Sequence, residues 1–390
     1  MCPVLEFKKV RYAYPNSPLS LNGVTFSLRK GTKVALVGPN GAGKTTLLLM
    51  CNGILRPDDG TVIFNGEPIR YDSVSLREVR KKIGLVFQNS DSQLFAPTVY
   101  QDVAFGPINL GLGKNEVKAL VTQGLNAVGL AGYEKRPPHQ LSGGEKKRAA
   151  IAGILVMGPE VLIFDEPTSA LDPTGAADLM ELLDELNAQG KTIIISTHDV
   201  ELAYNWADDI ILMNHGVVVH QGLPEAVFTD PQLITTTNLR TPAVIEIYTE
   251  LVARKMLDPS SGAPKSILHL VNTLEQRFNH RDLAGEYGSI TVCNVDAVPV
   301  DRIHAWLKQH TVHRLGAMGS RAKTLAERDK IALDFTYGVI DKCILRALIG
   351  ESSIILTSDG MVNRVERRVL AFDEESGISI QVHSMEESES

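Results

Sequence analysis

Cysteine is scarce: Cys2, Cys51, Cys293 and Cys343 are the only four in 390 residues. No two share C-x-x-C spacing, so neither a zinc site nor a disulfide framework is suggested, and free thiols fit a reducing compartment. Long apolar runs are missing too. No stretch approaches the ~18 residues that a membrane-crossing helix requires. The N-terminus, Met1-Cys2-Pro3-Val4-Leu5-Glu6, lacks the basic and apolar regions of a secretory signal. Work at a membrane is therefore expected from its cytoplasmic side and through a partner. Positive charge is not in excess either: 39 Lys and Arg against 46 Asp and Glu leave a net charge of −7. Nucleic-acid binding by bulk basic charge is excluded, because phosphate neutralisation needs clustered cations. A small anion held by a few placed groups is not excluded.

What is present is an ordinary globular composition, 44% hydrophobic and 22% charged, on a chain long enough for two or three domains. Residues 1–235 alternate between strand and helix patterns. Val4–Tyr12 alternates as a strand; Lys33–Val37, Ile83–Phe87, Val161–Phe164 and Thr192–Ser196 are short apolar runs typical of buried strands; Thr45–Cys51 reads as helix. This favours a mainly parallel sheet covered by helices. Residues 236–284 read as a helical connector, with Asp258–Pro264 as a linker. A small α/β domain is expected over 285–385: strands Ser289–Val295, Ile331–Phe335, Ser353–Thr357 and Ile378–Val382, helices Pro299–Gln309, Val339–Leu348 and Met361–Leu370. Met385 to Ser390 form an acidic, polar tail.

Three motifs carry chemistry. Gly38-Pro39-Asn40-Gly41-Ala42-Gly43-Lys44-Thr45, followed by Thr46, fits G-x-x-x-x-G-K-S/T after a strand. Its glycines let backbone N–H groups converge on phosphate oxygens, and the helix that follows adds its positive end. Lys44 is placed for the β- and γ-phosphates and Thr45 for Mg²⁺. Val161-Leu162-Ile163-Phe164-Asp165-Glu166 is an apolar strand ending in two carboxylates. Asp165 is expected to hold Mg²⁺ through water and Glu166 to act on the attacking water. These two motifs alone define a P-loop NTPase. Leu141-Ser142-Gly143-Gly144-Glu145 then adds a second helix N-terminus open to an anion.

In order and spacing, residues 1–235 resemble an ABC-type ATP-binding cassette. The resemblance implies a P-loop NTPase core with a mainly parallel sheet and an antiparallel N-terminal part, ATP and Mg²⁺ as ligands, and ATP hydrolysis. Leu141–Glu145 is similar to the family signature, which usually ends in Gln; Glu145, followed by Lys146-Lys147-Arg148, is a variant familiar in import ATPases. The signature of one subunit is implied to close on the ATP of the other, in a homodimer or with a paired ATPase subunit. By the same resemblance Tyr14 stacks on adenine, Gln88 touches Mg²⁺ and senses the membrane partner, Asp172 lies in the D-loop Ser169–Asp172, and His198 contacts the γ-phosphate. The segment Gly84–Val99, continuing through Asp102–Pro107, resembles the ATPases of energy-coupling-factor importers, most closely the cobalt/nickel branch. That implies a transmembrane coupling subunit received beside Asp91–Phe95, a substrate-binding membrane subunit, and a peripheral place on the cytoplasmic face of the membrane. An importer ATPase for another micronutrient such as a vitamin, or a non-transport regulatory ABC ATPase, stays open.

A chromosome-maintenance ATPase would carry a long coiled coil between Lys44 and Ser142, where no sustained heptads occur. A translation-associated ABC protein would carry two cassettes; this chain has one phosphate loop. In the C-terminal region, Gly316–Lys323 reads as a loop, either over the sheet edge or binding a small anion. His304, His310 and His313, with Cys293, are either solvated or structural groups or a metal-sensing cluster.

Overall fold

A computed structural model describes residues 3–278, 287–310 and 313–385. The expected tail beyond Met385 and the end of the expected connector lie outside the described residues. The chain divides into two compact units, Met1–Leu179 with Gly190–Glu246, and Met180–Gln189 with Ile247–Ser390.

The described residues of the first unit form ten strands: β1 (Leu5–Ala13), β2 (Leu19–Leu28), β3 (Lys33–Val37), β4 (Asp59–Phe64), β5 (Glu67–Pro68), β6 (Ile83–Val86), β7 (Val161–Asp165), β8 (Thr192–Thr197), β9 (Asp209–Asn214) and β10 (Val217–Gly222). Strands β2-β1-β4-β5 form an antiparallel sheet, and β10-β9-β3-β8-β7-β6 a second sheet that is parallel except for the β9–β10 hairpin. The burial follows the pairing. β7 and β8 are buried at every position, as strands covered on both faces must be, whereas β1 and β2 bury intermittent positions toward one face. Phe7 and Phe26, opposite each other across the β1–β2 pair, stack 4.6 Å apart in the core. The parallel strands end at one edge, where Val37, Asp165 and Thr197 deliver the chain into the loops that carry the motifs.

In the second unit, β11 (Ile290–Asn294), β12 (Arg314–Ala317), β13 (Ser353–Thr357) and β14 (Val382–Ser384) form a parallel sheet in the order β12-β13-β11-β14. Alternate residues of β13 serve two cores. Ile355 packs with Ile340 and Ile344 of the Val339–Ala347 helix and with Val365 and Phe372 of the Asp359–Ser376 helix, while Ile354 and Leu356 pack with Ile303, Ala322 and Ala326 on the other face.

Three C-terminal expectations are corrected. Ile331–Phe335 is not a strand; only Phe335 makes a single bridge, to Gly316. Asp334 turns its carboxylate onto Leu315 N–H (2.8 Å) and Arg314, so a side chain takes the Leu315 donor and the backbone bonds to β12 stay confined to Asp334 and Phe335. Gly316–Lys323 is not a loop: Gly316 and Ala317 lie in β12, and Ser320–Arg328 is a helix entered through Gly319 at φ +80°. The last strand also begins at Val382 rather than Ile378, because Ile378 and Ile380 are buried in the core while Asp373 receives the Ile380 N–H.

Candidate active site

The phosphate loop runs from β3 into the Lys44–Cys51 helix. Gly38 and Gly43 are required by space, whereas Gly41 has open space around it and is set apart by its φ of +80°. A Cβ on Gly38 would meet the Met213 carbonyl at 2.3 Å, and one on Gly43, at φ +97°, the Ser20 carbonyl at 2.7 Å. Lys44 is buried, and its Nζ donates to the carbonyls of Gly38 (2.6 Å) and Pro39 (3.2 Å). Burial holds the ammonium below its ordinary pKa, with Glu166 and Asp165 partly offsetting it.

At the end of β7, Asp165 accepts hydrogen bonds from Thr45 Oγ1 (2.8 Å) and from Ser196 Oγ on β8. Glu166 takes φ +47°, rare outside glycine, and is fixed there by its N–H, which donates to the carbonyl and hydroxyl of Ser196. Both Glu166 carboxylate oxygens lie 3.0 Å from His198 Nδ1, just beyond β8. A carboxylate there only accepts, so Nδ1 carries the proton.

A cleft of about 300 Å³ gathers Ser20, Asn40, Gly41, Ala42, Gly43, Lys44, Thr45, Thr46, Gln88, Asp165, Glu166 and His198. Gly38 and Pro39 face the same centre through Lys44. Tyr14 stands outside that lining, half-exposed, its hydroxyl 3.3 Å from Thr46 Oγ1 and its ring edge-on to Tyr12.

Ser142, Gly143, Gly144 and Glu145 do not line the chain's own cleft. They open the Gly143–Leu155 helix with a reciprocal cap: Ser142 Oγ accepts Glu145 N–H (3.3 Å), and Glu145 Oε2 accepts Ser142 N–H (2.7 Å). Burial raises the Glu145 pKa, but the hydrogen bonds from Ser142 and Tyr133 outweigh it and leave the carboxyl below its ordinary value. A glutamate here thus closes the cap. Asp172 caps the helix after the D-loop by accepting Gly175 N–H at 2.8 Å.

Sequence patterns did not reveal Lys147, Ser196 or Ser20. Lys147 is 3% exposed and donates to the Glu166 carbonyl, and burial pushes its pKa down to about 8. Within the Lys146-Lys147-Arg148 run, Lys147 is buried while both neighbours are partly exposed, a distinction that residue type alone does not make. Among the described residues, no three or more His, Cys, Asp or Glu are disposed to hold a metal ion. The metal-sensing cluster is therefore not formed: Cys293 is in the core, His310 stacks on Trp306, and His313 Nδ1 accepts Ser352 N–H.

A phosphate cradle, a carboxylate pair at a strand end and a helix cap turned away from the chain's own cleft define an ATP-hydrolysing ABC cassette. The ABC transporter family profile matches residues 21–169. The energy-coupling factor transporter ATP-binding protein EcfA2 of Methanospirillum hungatei is 51% identical over 387 residues, 99% of this chain and 97% of that protein. EcfA of Methanocaldococcus jannaschii is 54% identical over 252 residues, covering 65% and 90%. Among solved structures, cbiO1 of Clostridium perfringens, described as part of the ABC transporter complex cbiONQ, aligns with a TM-score of 0.56 and 40% identity over 63% of this chain and 99% of that one. A dimeric ATP-binding cassette bound to ADP and Pi aligns at 0.51 and 29% identity over 56% and 98%. The chain belongs to the energy-coupling-factor group of ABC transporter ATP-binding proteins.

Proposed function

We propose that the chain hydrolyses Mg-ATP as a dimer on the cytoplasmic face of the membrane and drives uptake of a transition-metal ion, cobalt or nickel. The observation that carries the enzymatic part is Glu166 held by His198 beside Thr45 and Asp165 in one cleft. Mg²⁺ fits this donor set, because the Thr45 hydroxyl, the Asp165 carboxylate and the Gln88 amide supply hard oxygen atoms. Bound there, the ion would neutralise charge on the phosphates. Glu166 accepts the proton of the attacking water, and His198 holds its carboxylate in place. Lys44 turns from its loop carbonyls to the phosphates.

Dimerisation is supported by the position of Ser142–Glu145 outside their own cleft and by the dimeric relative. A membrane partner is supported by an apolar patch: Phe95 and Phe105 meet edge-on at 4.9 Å while 65% and 50% exposed, with Ile108 beside them in sequence at 58%. Among the described residues no helix is long and apolar enough to cross a membrane, so the partner must supply the path. The cargo rests on the resemblance of the 84–107 segment. Uptake of radiolabelled Co²⁺ or Ni²⁺ by vesicles carrying the assembled transporter tests it: ATP-dependent accumulation blocked by Glu166→Gln is expected, and uptake of neither ion would refute the cargo.

A further inference from the structure

The loop between β6 and the Val99–Asn109 helix is fastened at three places, and each fastening leads to a different functional element. At its base Gln93 grips the end of β6 and the residue before Gln88: Nε2 donates to the Leu85 carbonyl (3.0 Å) and Oε1 accepts Phe87 N–H (3.2 Å). At its far end the buried Asp102 accepts the N–H groups of Phe95 and Ala96, each at 3.0 Å. Near its tip Asp91 Oδ1 lies 2.6 Å from Nζ of Lys146, the residue after Glu145 in the signature helix.

Between these fastenings the loop is a tight turn rather than a slack one. Asn89 caps Ser90–Ser92 by accepting Asp91 N–H (3.0 Å), Ser92 Oγ donates back to the Asn89 carbonyl (2.7 Å), and Ser90 is buried. The turn is extended toward Phe95 by the N–H groups of Gln93 (3.0 Å) and Leu94 (3.2 Å), which both donate to the Ser90 carbonyl, so the chain from Asp91 to the residue before Phe95 is hydrogen-bonded throughout. The ion pair adds little stability, since Asp91 is 65% exposed. Its geometry is what counts: Lys146 sits in the first turn of a helix, where a cation opposes the dipole, and Asp91 offsets that while fixing the helix against the loop.

We propose that the Asp91–Lys146 pair is the positioning link through which occupancy of the Phe95–Phe105 patch sets the placement of the signature helix, and thereby of Ser142 against the ATP of a second copy. Neither residue touches ATP; both act through the helix. This rests on the patch being the dock of the membrane partner.

The test uses the full tagged chain, isolated alone and as the membrane complex it draws from native membranes. The readout is the ratio of ATP turnover in the complex to that of the free chain. Asp91→Lys and Lys146→Asp singly are expected to lower this ratio about fivefold or more, the lower end of a typical coupling. The exchange D91K/K146D restores it, and Asp91→Glu keeps it. Thermal melts of all variants separate this from a folding role, which the exchange of charges would not rescue in the ratio alone. A native ratio in Asp91→Lys overturns the link, as does an exchange variant that melts like the native protein but couples no better than the single variants. If the native chain draws no membrane protein, the docking reading falls, and the link falls with it.

Discussion

Lys147 Nζ donates to the main-chain carbonyl of Glu166 at 3.3 Å. The same carbonyl accepts the hydroxyl of Ser169 (2.8 Å) and its N–H (3.1 Å). The signature helix and the D-loop therefore meet on the backbone of the residue proposed to receive the proton, and together they hold it at φ +47°. Strain of that kind persists only where surrounding contacts over-determine it.

Removing one of those contacts gives the first prediction. Lys147→Met keeps the volume of the buried stem but loses the donor, and turnover should fall roughly tenfold or more as Glu166 drifts from its aligned position. The titration gives a second readout. With a folded pKa of about 8 against an ordinary 10.5, the unfolded chain binds the additional proton between those values. Stability from this residue thus rises as pH climbs from about 8 toward 10.5. Denaturant melts across that window should show the rise in the native protein and not in Lys147→Met. A parallel pH response in both would place the titration elsewhere.

Glu166→Gln should leave ATP binding intact and slow hydrolysis by ~10²–10⁴, the usual worth of a positioned proton acceptor. Size-exclusion chromatography with ATP should then show an accumulated dimer. Lys44→Ala should instead abolish ATP binding, because the buried charge aimed at the loop disappears. Single-turnover assays and nucleotide titration separate the two, and normal turnover by Glu166→Gln would remove it from the proton-accepting role.

Since the signature lies outside its own cleft, mixing two dead chains should restore activity. In a Lys44→Ala chain paired with a Ser142→Arg chain, one composite site keeps both an intact phosphate loop and an intact signature. With random pairing about half of the dimers are mixed and each keeps one of its two sites, so turnover of an equal mixture should recover toward about a quarter of the native value, and it should rise more than linearly with concentration at low protein. Ser142→Arg acting alone with native binding, dimerisation and turnover would defeat the composite site.

The cassette was legible because its chemistry demands residue types at fixed spacing. Gly38 and Gly43 face carbonyls that forbid a Cβ, and β7 must be apolar up to Asp165 because it is covered on both faces. Local patterns of that kind survive in one dimension. The second unit was harder to read, for long-range reasons. β12 is only Arg314–Ala317, too short and too mixed to show a period, while the apolar Ile331–Phe335 contains an aspartate that diverts the chain. Nothing in the residues around 180 foretold that Met180–Gln189 would group with the C-terminal residues. In that group Asp184 pairs with Arg364 at 2.6 Å and Glu181 with Lys323 at 2.8 Å. A cut near Ala263, which the Pro- and Gly-containing Asp258–Pro264 segment invites, would strip those partners from the helix.

The same group of charges yields the last prediction. Glu185 is pushed up to about 7, first by burial and then by the Glu181 and Asp296 carboxylates, with Arg321 and Lys323 pulling the other way. Its Oε1 is buried without a hydrogen-bond partner, and it lies so close to Gly319 that a Cβ there would collide with it. The folded state binds the proton more tightly than the unfolded chain does, whose ordinary value is 4.5. Stability contributed at this site is therefore full below about 4.5 and is lost as pH rises through about 7. The second unit should open more readily at pH 8 than at pH 6, seen as faster limited proteolysis and exchange of the β13 and Ser320–Arg328 amides. Glu185→Gln cannot ionise and should flatten that dependence while holding the neutral side chain in place. Gly319→Ala should weaken the unit at every pH, because its clash does not depend on a proton. An unchanged pH profile in Glu185→Gln would show that another group governs the opening.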